Sequence, residues 1–369
     1  TIASSTRTGT GQYAANLCAA LMRTKHEHEL VIYCDGELLD WFEERRNGQA
    51  VTLRPRAFSS PARRIFWEQT KLAAELQSER VDVLHAMAFS SPFLNSIPTV
   101  VTVHDLVFRR FPETVPLAKK LYYRLAFGRA IQKAVQVIAV SEQVRSELLT
   151  EFHLPVKKVQ AIPEAAAPEF GVRPQRRLID RIRKKLGLTQ PYILSVSTLE
   201  PRKNLLRLLE AFNLFKQASG LPHKLVLTGK PGWLKTADRI VRQSTEEVSD
   251  LVCTGYVDQA DMPALYAGAE LFLFPSLYEG FGLPPLEALA CGTPVIASDI
   301  PVLREVCGQA ALFVDPREPS LWRDAILKLL HDDGLRQRLQ VRGRQRAREF
   351  SWEKTAQKTL EVYERCAHG

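Results

Sequence analysis

The chain has 369 residues, 45% of them hydrophobic and 25% charged, with a formal net charge of +9. This is an ordinary soluble composition, long enough for two domains of typical size, and no stretch approaches the roughly 18 consecutive apolar residues of a membrane span. No signal peptide opens the sequence as given, and the six cysteines form no C-x-x-C pair, which argues for reduced thiols rather than a disulfide framework or a zinc site.

The opening "TIASSTRTGTGQYAANLCAALM" predicts a glycine-containing loop and then a helix. Few residues precede the loop, so the chain is expected to begin just after or within its first strand. Short β-branched or apolar runs follow in order: "ELVIYC", "VDVLHA", "TVVTVHD", "VQVIAVS" and "KVQAIP". A second set is "YILSVST", "KLVLTG", "DLVCTGYV", "LFLFPS", "PVIASD" and "ALFVD". Amphipathic segments such as "RRIFWEQTKLAAELQSE" and "NLLRLLEAFNLFKQAS" alternate with them. Strand–helix alternation predicts an α/β fold with parallel sheets covered by helices on both faces. One sheet of about eleven strands would be uncommon, so two Rossmann-like sheets of five or six are expected. The break is placed in "PEAAAPEFGVRPQRR", giving domains 1–170 and 171–350. Ser351, a good N-cap, opens a final helix over 351–369 that is expected to return toward the first domain.

The positive balance can draw nucleic acid, anionic lipid or an anionic small substrate. Its densest runs, Arg173–Gly187 and Arg336–Arg348, have leucines and isoleucines at helical spacing and read as solvated helix faces. They lack the interleaved aromatics that stack bases, so no nucleic-acid partner is expected.

In open α/β sheets ligands bind outside the carboxyl ends of the strands. Here those ends are polar: His104 and Asp105, Ser141, Glu200 to Asn204, Gly229 and Lys230, and Glu279. Strand ends from both halves imply a cleft between two facing domains. Gly9 and Gly11 precede a helix, where backbone amides suit phosphate, although G-x-G also makes a simple turn. Arg202 and Lys203, adjacent between a strand and a helix, suit a diphosphate; elsewhere such a pair is ordinary surface.

Glu279 and Glu287 bracket the uncharged run "GFGLPPL". Pro284 and Pro285 favour a helix start, which would put Glu287 in the first turn, where the helix dipole alone favours a carboxylate. A carboxylate also accepts hydrogen bonds from paired sugar hydroxyls. Two of them, with loop amides between, would hold the ribose and the hexose of a sugar nucleotide.

The phrase "EGFGLPPLE" resembles the E-x7-E motif of the retaining glycosyltransferases of family 4, which have the GT-B fold. The resemblance extends through "TGTGQYAANL", "VTVHDLVF", "VIAVSEQVRSELL", "YILSVSTLEPRKNLLRLLEAF", "LVLTGKPGW" and "TGYVDQADMPALYAGAELFLFPSLYEGFGLPPLEALACGTPVIASD". The wording is most like bacterial mannosyltransferases of polysaccharide and O-antigen assembly. The resemblance implies that Arg202 and Lys203 bind the donor diphosphate and Glu287 the ribose. Glu279, with the backbone of Gly280, Phe281, Gly282 and Leu283, would hold the transferred sugar. His104 would reach the donor sugar and reacting centre, Gly9 and Gly11 the donor phosphate, and Ser141 would line the cleft. Ser197, where many relatives carry glycine, would approach the phosphate, and Gly229 would belong to the substrate-binding residues. Tyr256 and Val257 would lie near the base. The inter-domain phrase, P-N-G-V in many relatives, is "PEAAAP" here.

The implied reaction is retaining hexosyl transfer, with mannose from GDP-mannose as the expected donor and a glycan or lipid-linked acceptor. A UDP-sugar-dependent transferase and a sugar-nucleotide epimerase of the same fold are the alternatives. No Asp-x-Asp cluster occurs and two cations fill the diphosphate role, so neither a cofactor nor a metal is expected. The location expected is cytoplasmic. Basic and aromatic residues of the first domain, Arg63, Arg64, Phe66, Trp67, Phe108, Arg109, Arg110, Lys119, Lys120, Tyr122 and Tyr123, suit a peripheral contact at the inner membrane face; the alternative is that the aromatics face the core and the cations are solvated.

Overall fold

The computed structural model describes residues 9–58, 60–88, 91–114, 117–229 and 250–368. The expected truncation of a first strand before Gly9 falls on residues 1–8, outside that description, as does Lys230. Two compact units divide the chain: Thr1–Glu164 with Ser351–Gly369, and Ala165–Phe350. The division falls at Glu164 rather than at 170. The physical reason is burial: Ala165, Ala167 and Phe170 are core residues, and the Phe170 ring lies 5.7 Å from Tyr266. The segment read as a hinge thus packs into the second unit.

In the first unit the strands are β1 (Leu30–Cys34), β2 (Val51–Pro55), β3 (Leu84–Ala86), β4 (Thr99–Val103), β5 (Gln136–Ala139) and β6 (Val159–Ala161). Among the described residues they form two parallel sheets, β1-β2 and β3-β4-β5-β6, rather than one of five or six. β4, the run T-V-V-T-V, is buried at every position, as a strand covered on both faces must be. β2 has no counterpart among the expected strands; V-T-L-R-P is half-buried, polar at alternate positions and ends in proline. "RRIFWEQTKLAAELQSE" breaks at Lys71 into two helices, Pro61–Thr70 and Leu72–Ser78. The final helix, Trp352–His368, packs on the helix Thr10–Arg23. Its Val362 and Cys366 join Val100, Ile138 and Ile162 in one core cluster, and Trp352 meets Tyr13 edge-on at 5.8 Å. A cavity of about 700 Å³ opens beside β1 and β3, lined by Tyr33, Trp67, His85 and Tyr363 among others; none of the expected site residues lines it.

The second unit holds β7 (Tyr192–Val196), β8 (Lys224–Thr228), β9 (Leu251–Gly255), β10 (Leu271–Phe274), β11 (Val295–Ser298) and β12 (Ala311–Val314). All neighbours are parallel and the order is β12-β11-β10-β7-β8-β9. β10 and β11 are wholly buried. The helices Leu205–Ser219 and Pro319–His331 pack against one another and bring Phe212, Phe215, Trp322 and Ile326 into the core with Leu271 and Ile296. From β7 the chain winds outward to β9, then returns to β10 and winds the other way. The reversal lies between β7 and β10, and a doubly wound sheet opens its ligand crevice at the carboxyl ends of such a pair.

Candidate active site

The loop after β7 carries Glu200 and a single turn, Pro201–Lys203, before the helix Leu205–Ser219. Asn204 joins them with φ +57°, a conformation asparagine tolerates. Its side-chain amide donates to the carbonyls of Pro275 (3.2 Å) and Pro316 (2.6 Å), and the Leu277 amide donates to the Arg202 carbonyl at 2.8 Å. The loops after β7 and β10 are thereby braced together at the switch point.

That bracing brings four charged side chains into one cluster. Arg202 Nε donates to Glu200 Oε2 at 3.0 Å, and its Nη1 donates to Glu279 Oε2 and to the Tyr278 carbonyl, both at 3.1 Å. Lys203 Nζ donates to Glu279 Oε1 at 2.5 Å and sits 5.1 Å from the centre of the Phe274 ring. All four side chains are at most 13% exposed. Burial by itself would raise the Glu279 carboxyl, but Lys203 and Arg202 outweigh it and hold the carboxyl at about 2. For Lys203, burial and the neighbouring Arg202 lower the ammonium against the pull of Glu279. The cations and Glu279, assigned to different parts of a ligand, are therefore directly bonded to each other.

Glycine is required at two points around the cluster. Gly229 follows β8 at φ +153°, and a Cβ there would lie 1.9 Å from the carbonyl oxygen of Ser197, which follows β7, so the chain just beyond the two strands meets backbone to backbone. Gly282, at φ +117°, precedes the helix Leu283–Cys291, and a Cβ there would press on Leu303 at 2.8 Å. Between them Phe281 is 4% exposed and stacks edge-on with Phe350 at 5.9 Å, so it offers a ligand backbone rather than side chain.

Glu287 is corrected in position. The helix starts at Leu283, which makes Glu287 its fifth residue, in the second turn and not the first. Its carboxylate accepts from the Tyr266 hydroxyl at 2.8 Å and is buried. Burial and the Glu287 charge push the Tyr266 phenol well up, so it remains a donor. A dipole argument for the first turn therefore does not explain Glu287. Tyr256 and Val257 follow β9, the first 44% exposed and the second buried.

His104, Ser141, Gly9 and Gly11 belong to the other unit. Gly9 is the N-cap of the helix Thr10–Arg23, and Gly11 lies in its first turn. Ser141 caps the helix Glu142–Phe152, accepting from the Val144 amide at 3.1 Å. His104 follows β4 directly, with both ring nitrogens engaged: Nδ1 on Glu164 at 3.0 Å and Nε2 on the Met87 carbonyl at 2.9 Å. A carbonyl only accepts, so Nε2 carries a proton, and an ionised Glu164 accepts from Nδ1 as well. Burial favours the neutral ring, yet Glu164, the Met87 carbonyl and Asp105 together raise its pKa. The Tyr13 ring stands edge-on against it at 4.7 Å. Glu164 lies in the stretch where the break between domains is placed, and Tyr13 and Tyr266 carry no expectation of a role. Nothing in their spacing marks the partners they find in three dimensions.

Residues 179–346 match the family of glycosyl transferases group 1, and residues 7–170 match glycosyltransferase family 4. O-antigen chain mannosyltransferase B of Escherichia coli is 30% identical over 367 residues, 96% of each chain. The chain belongs to glycosyltransferase family 4. Another relative of this glycosyltransferase, O-antigen chain mannosyltransferase RfbU of Salmonella typhimurium, is 24% identical over 86% of each chain. Among solved structures, Anabaena Alr3699/HepE in complex with UDP-glucose superposes with TM-score 0.76 at 18% identity, covering 98% of this chain and 97% of its own. WaaG, a glycosyltransferase involved in lipopolysaccharide biosynthesis, superposes with TM-score 0.71 at 16% identity, covering 96% and 95%. The fold of this glycosyltransferase is GT-B, with two Rossmann-like domains. Among the described residues no helix is long and apolar enough to cross a membrane, and no three His, Cys, Asp or Glu side chains group as metal ligands would.

Proposed function

We propose that this glycosyltransferase moves mannose from GDP-mannose to a glycan or lipid-linked acceptor of polysaccharide assembly, with retention of configuration and without a metal. The observation that carries the reading is the buried pair Arg202 and Lys203 at the switch point of a doubly wound sheet, beside a glycine-lined loop. The sugar rests on the relatives. Mannosyltransferases of Escherichia coli and Salmonella typhimurium are joined by the MMP alpha-(1->4)-mannosyltransferase of Mycolicibacterium hassiacum, 29% identical over 73% of this chain.

In this reading the acceptor oxygen forms the new bond to the sugar C1 as the bond from C1 to the diphosphate oxygen breaks. The acceptor proton passes to the departing diphosphate. Arg202 and Lys203 neutralise the charge that develops there, and such preorganised donors supply much of the rate. Glu279, with the Gly280–Gly282 backbone, orients the hexose, and Glu287 holds the ribose. In this reading Glu279 orients the sugar rather than forming a covalent intermediate with it.

A peripheral contact at the inner membrane face completes the reading. Phe66 is 66% exposed on the helix that also carries the exposed Arg63. Other members of the expected patch are engaged elsewhere. Trp67 is buried, Arg64 pairs with Glu68, Arg109 with Glu151, and Arg110 with Glu147 and Glu151. The side chains of Lys119, Tyr122 and Tyr123 lie outside the described residues.

The test is a panel of nucleotide sugars with and without acceptor extracts from polysaccharide-producing cells. Transfer from GDP-mannose, with the anomeric configuration kept in the product, is expected. Preference for a UDP-sugar by tenfold or more would defeat the mannose reading, and conversion of donor alone to an epimer would defeat the transferase reading.

A further inference from the structure

Arg202 is held by two buried carboxylates whose attachments to the fold differ. Glu200 lies two residues before it on the same loop. Its carbonyl accepts from the Lys203 amide and its own amide donates to the Thr198 carbonyl, both at 2.9 Å, so its backbone is part of the turn that presents Arg202. Glu279 comes from the loop after β10 and takes one N–H from Arg202 and one from Lys203. One carboxylate thus joins a donor of each cation, and a pair of phosphate oxygens would use the same two donors. Glu200 instead occupies Nε, a different donor of the guanidinium from the one that Glu279 takes.

We propose that the two carboxylates act in opposite senses on a phosphate ligand: Glu200 positions the Arg202 guanidinium, while Glu279 competes with phosphate for Arg202 and Lys203. This rests on the reading of that cation pair as the diphosphate site. A carboxylate and a phosphate oxygen accept the same N–H bonds, so a diphosphate engaging both cations takes them from Glu279. The displaced carboxylate is buried and has lost the cations that stabilised its charge, so it needs new donors. The hydroxyls of a hexose joined to the diphosphate supply them, whereas a bare nucleoside diphosphate brings none. The site therefore favours the intact donor and resists the spent nucleotide. One carboxylate thus contributes both to holding the sugar and to releasing the product.

The experiment is calorimetry on the full chain with pyrophosphate, GDP and GDP-mannose, comparing wild type with Glu279→Gln and Glu200→Gln, each shown to be folded by thermal melting. Glu279→Gln is expected to bind pyrophosphate and GDP several-fold to roughly tenfold more tightly, where tenfold is about 1.4 kcal/mol, and GDP-mannose no more tightly. Glu200→Gln is expected to weaken all three. Should Glu279→Gln fail to fold, Glu279→Asp keeps the charge on a shorter arm and is expected to shift GDP in the same direction, less far. A merely structural role for both residues would weaken every ligand in both variants, and that result overturns the proposal while leaving the diphosphate site standing. Wild type that binds none of the three ligands overturns the site and the proposal together.

Discussion

Arg202 and Lys203 each contribute to one buried cluster, and each holds Glu279 by its own hydrogen bond. Removing Lys203 leaves Glu279 bonded to Arg202, and removing Arg202 leaves it bonded to Lys203. Arg202→Ala and Lys203→Ala should therefore remain folded by circular dichroism while turnover falls by orders of magnitude. Loss of one preorganised charge contact costs roughly 3–4 kcal/mol of barrier. Near-native rates in both variants would remove the diphosphate assignment. Glu287→Ala should weaken a nucleoside diphosphate and its sugar form by similar factors, because the ribose is common to both; a loss confined to the sugar form would contradict the ribose role. The His104–Glu164 pair gives a pH signature. His104 has a folded pKa above its ordinary 6.5. Its contribution to stability is thus fully present below about 6.5 and fades as pH rises through the raised value. The stability gap between wild type and Glu164→Gln, read from urea unfolding, should be wider near pH 6 than near pH 9. An unchanged gap would show that the pair is not ionic.

At the scale of elements, the contacts that shape each unit come from segments far apart in sequence. The helix Trp352–His368 completes the core of the first unit from the other end of the chain, with Trp352 2% exposed and Tyr363 accepting or donating at 2.7 Å to His85 Nδ1. Trp352→Ala should cost about 3–5 kcal/mol in chemical unfolding, the usual loss for a buried aromatic. A change under about 1 kcal/mol would mean that this helix is not integral to the unit. The crossing of β7 and β8 ends is tighter still. At Gly229 an added Cβ meets backbone that no side-chain rotation can relieve. Gly229→Ala is expected to disturb the loop that carries Glu200 to Lys203 as well as the fold.

For the whole molecule the net charge of +9 and the clustered cations bear on partners rather than on fold. Part of the basic character is paired within the chain. Arg181 and Lys185 pair with Asp261, and the Arg346 guanidinium donates to the carbonyls of Val306 and Glu305. What remains, with Phe66 and Arg63 on an exposed helix face, should give weak binding to anionic vesicles that falls as salt rises. Absence of binding at any salt would leave these groups merely solvated. Transfer should also persist in excess chelator, because two side-chain cations occupy the diphosphate role. Complete loss restored by magnesium would contradict that reading.

The α/β class, the strand runs of the doubly wound second unit and the set of polar strand ends were all legible in the sequence. Each follows from local pattern: apolar runs of strand length, amphipathic runs of helix length, and charged residues placed where one gives way to the other. β2 was missed although its apolar–polar alternation is a strand signal, because a five-residue run ending in an exposed proline is too short to stand out. The boundary at Glu164 was not legible, since three alanines and a phenylalanine do not announce which core they enter. Most of all, the sequence could name Glu200, Arg202, Lys203 and Glu279 but not their bonds. Glu279 stands 76 residues from Lys203, and only the reversal of winding between β7 and β10 brings the two loops together. Local pattern decides which residues end each strand; strand order, which is a property of the folded sheet, decides which of those ends meet.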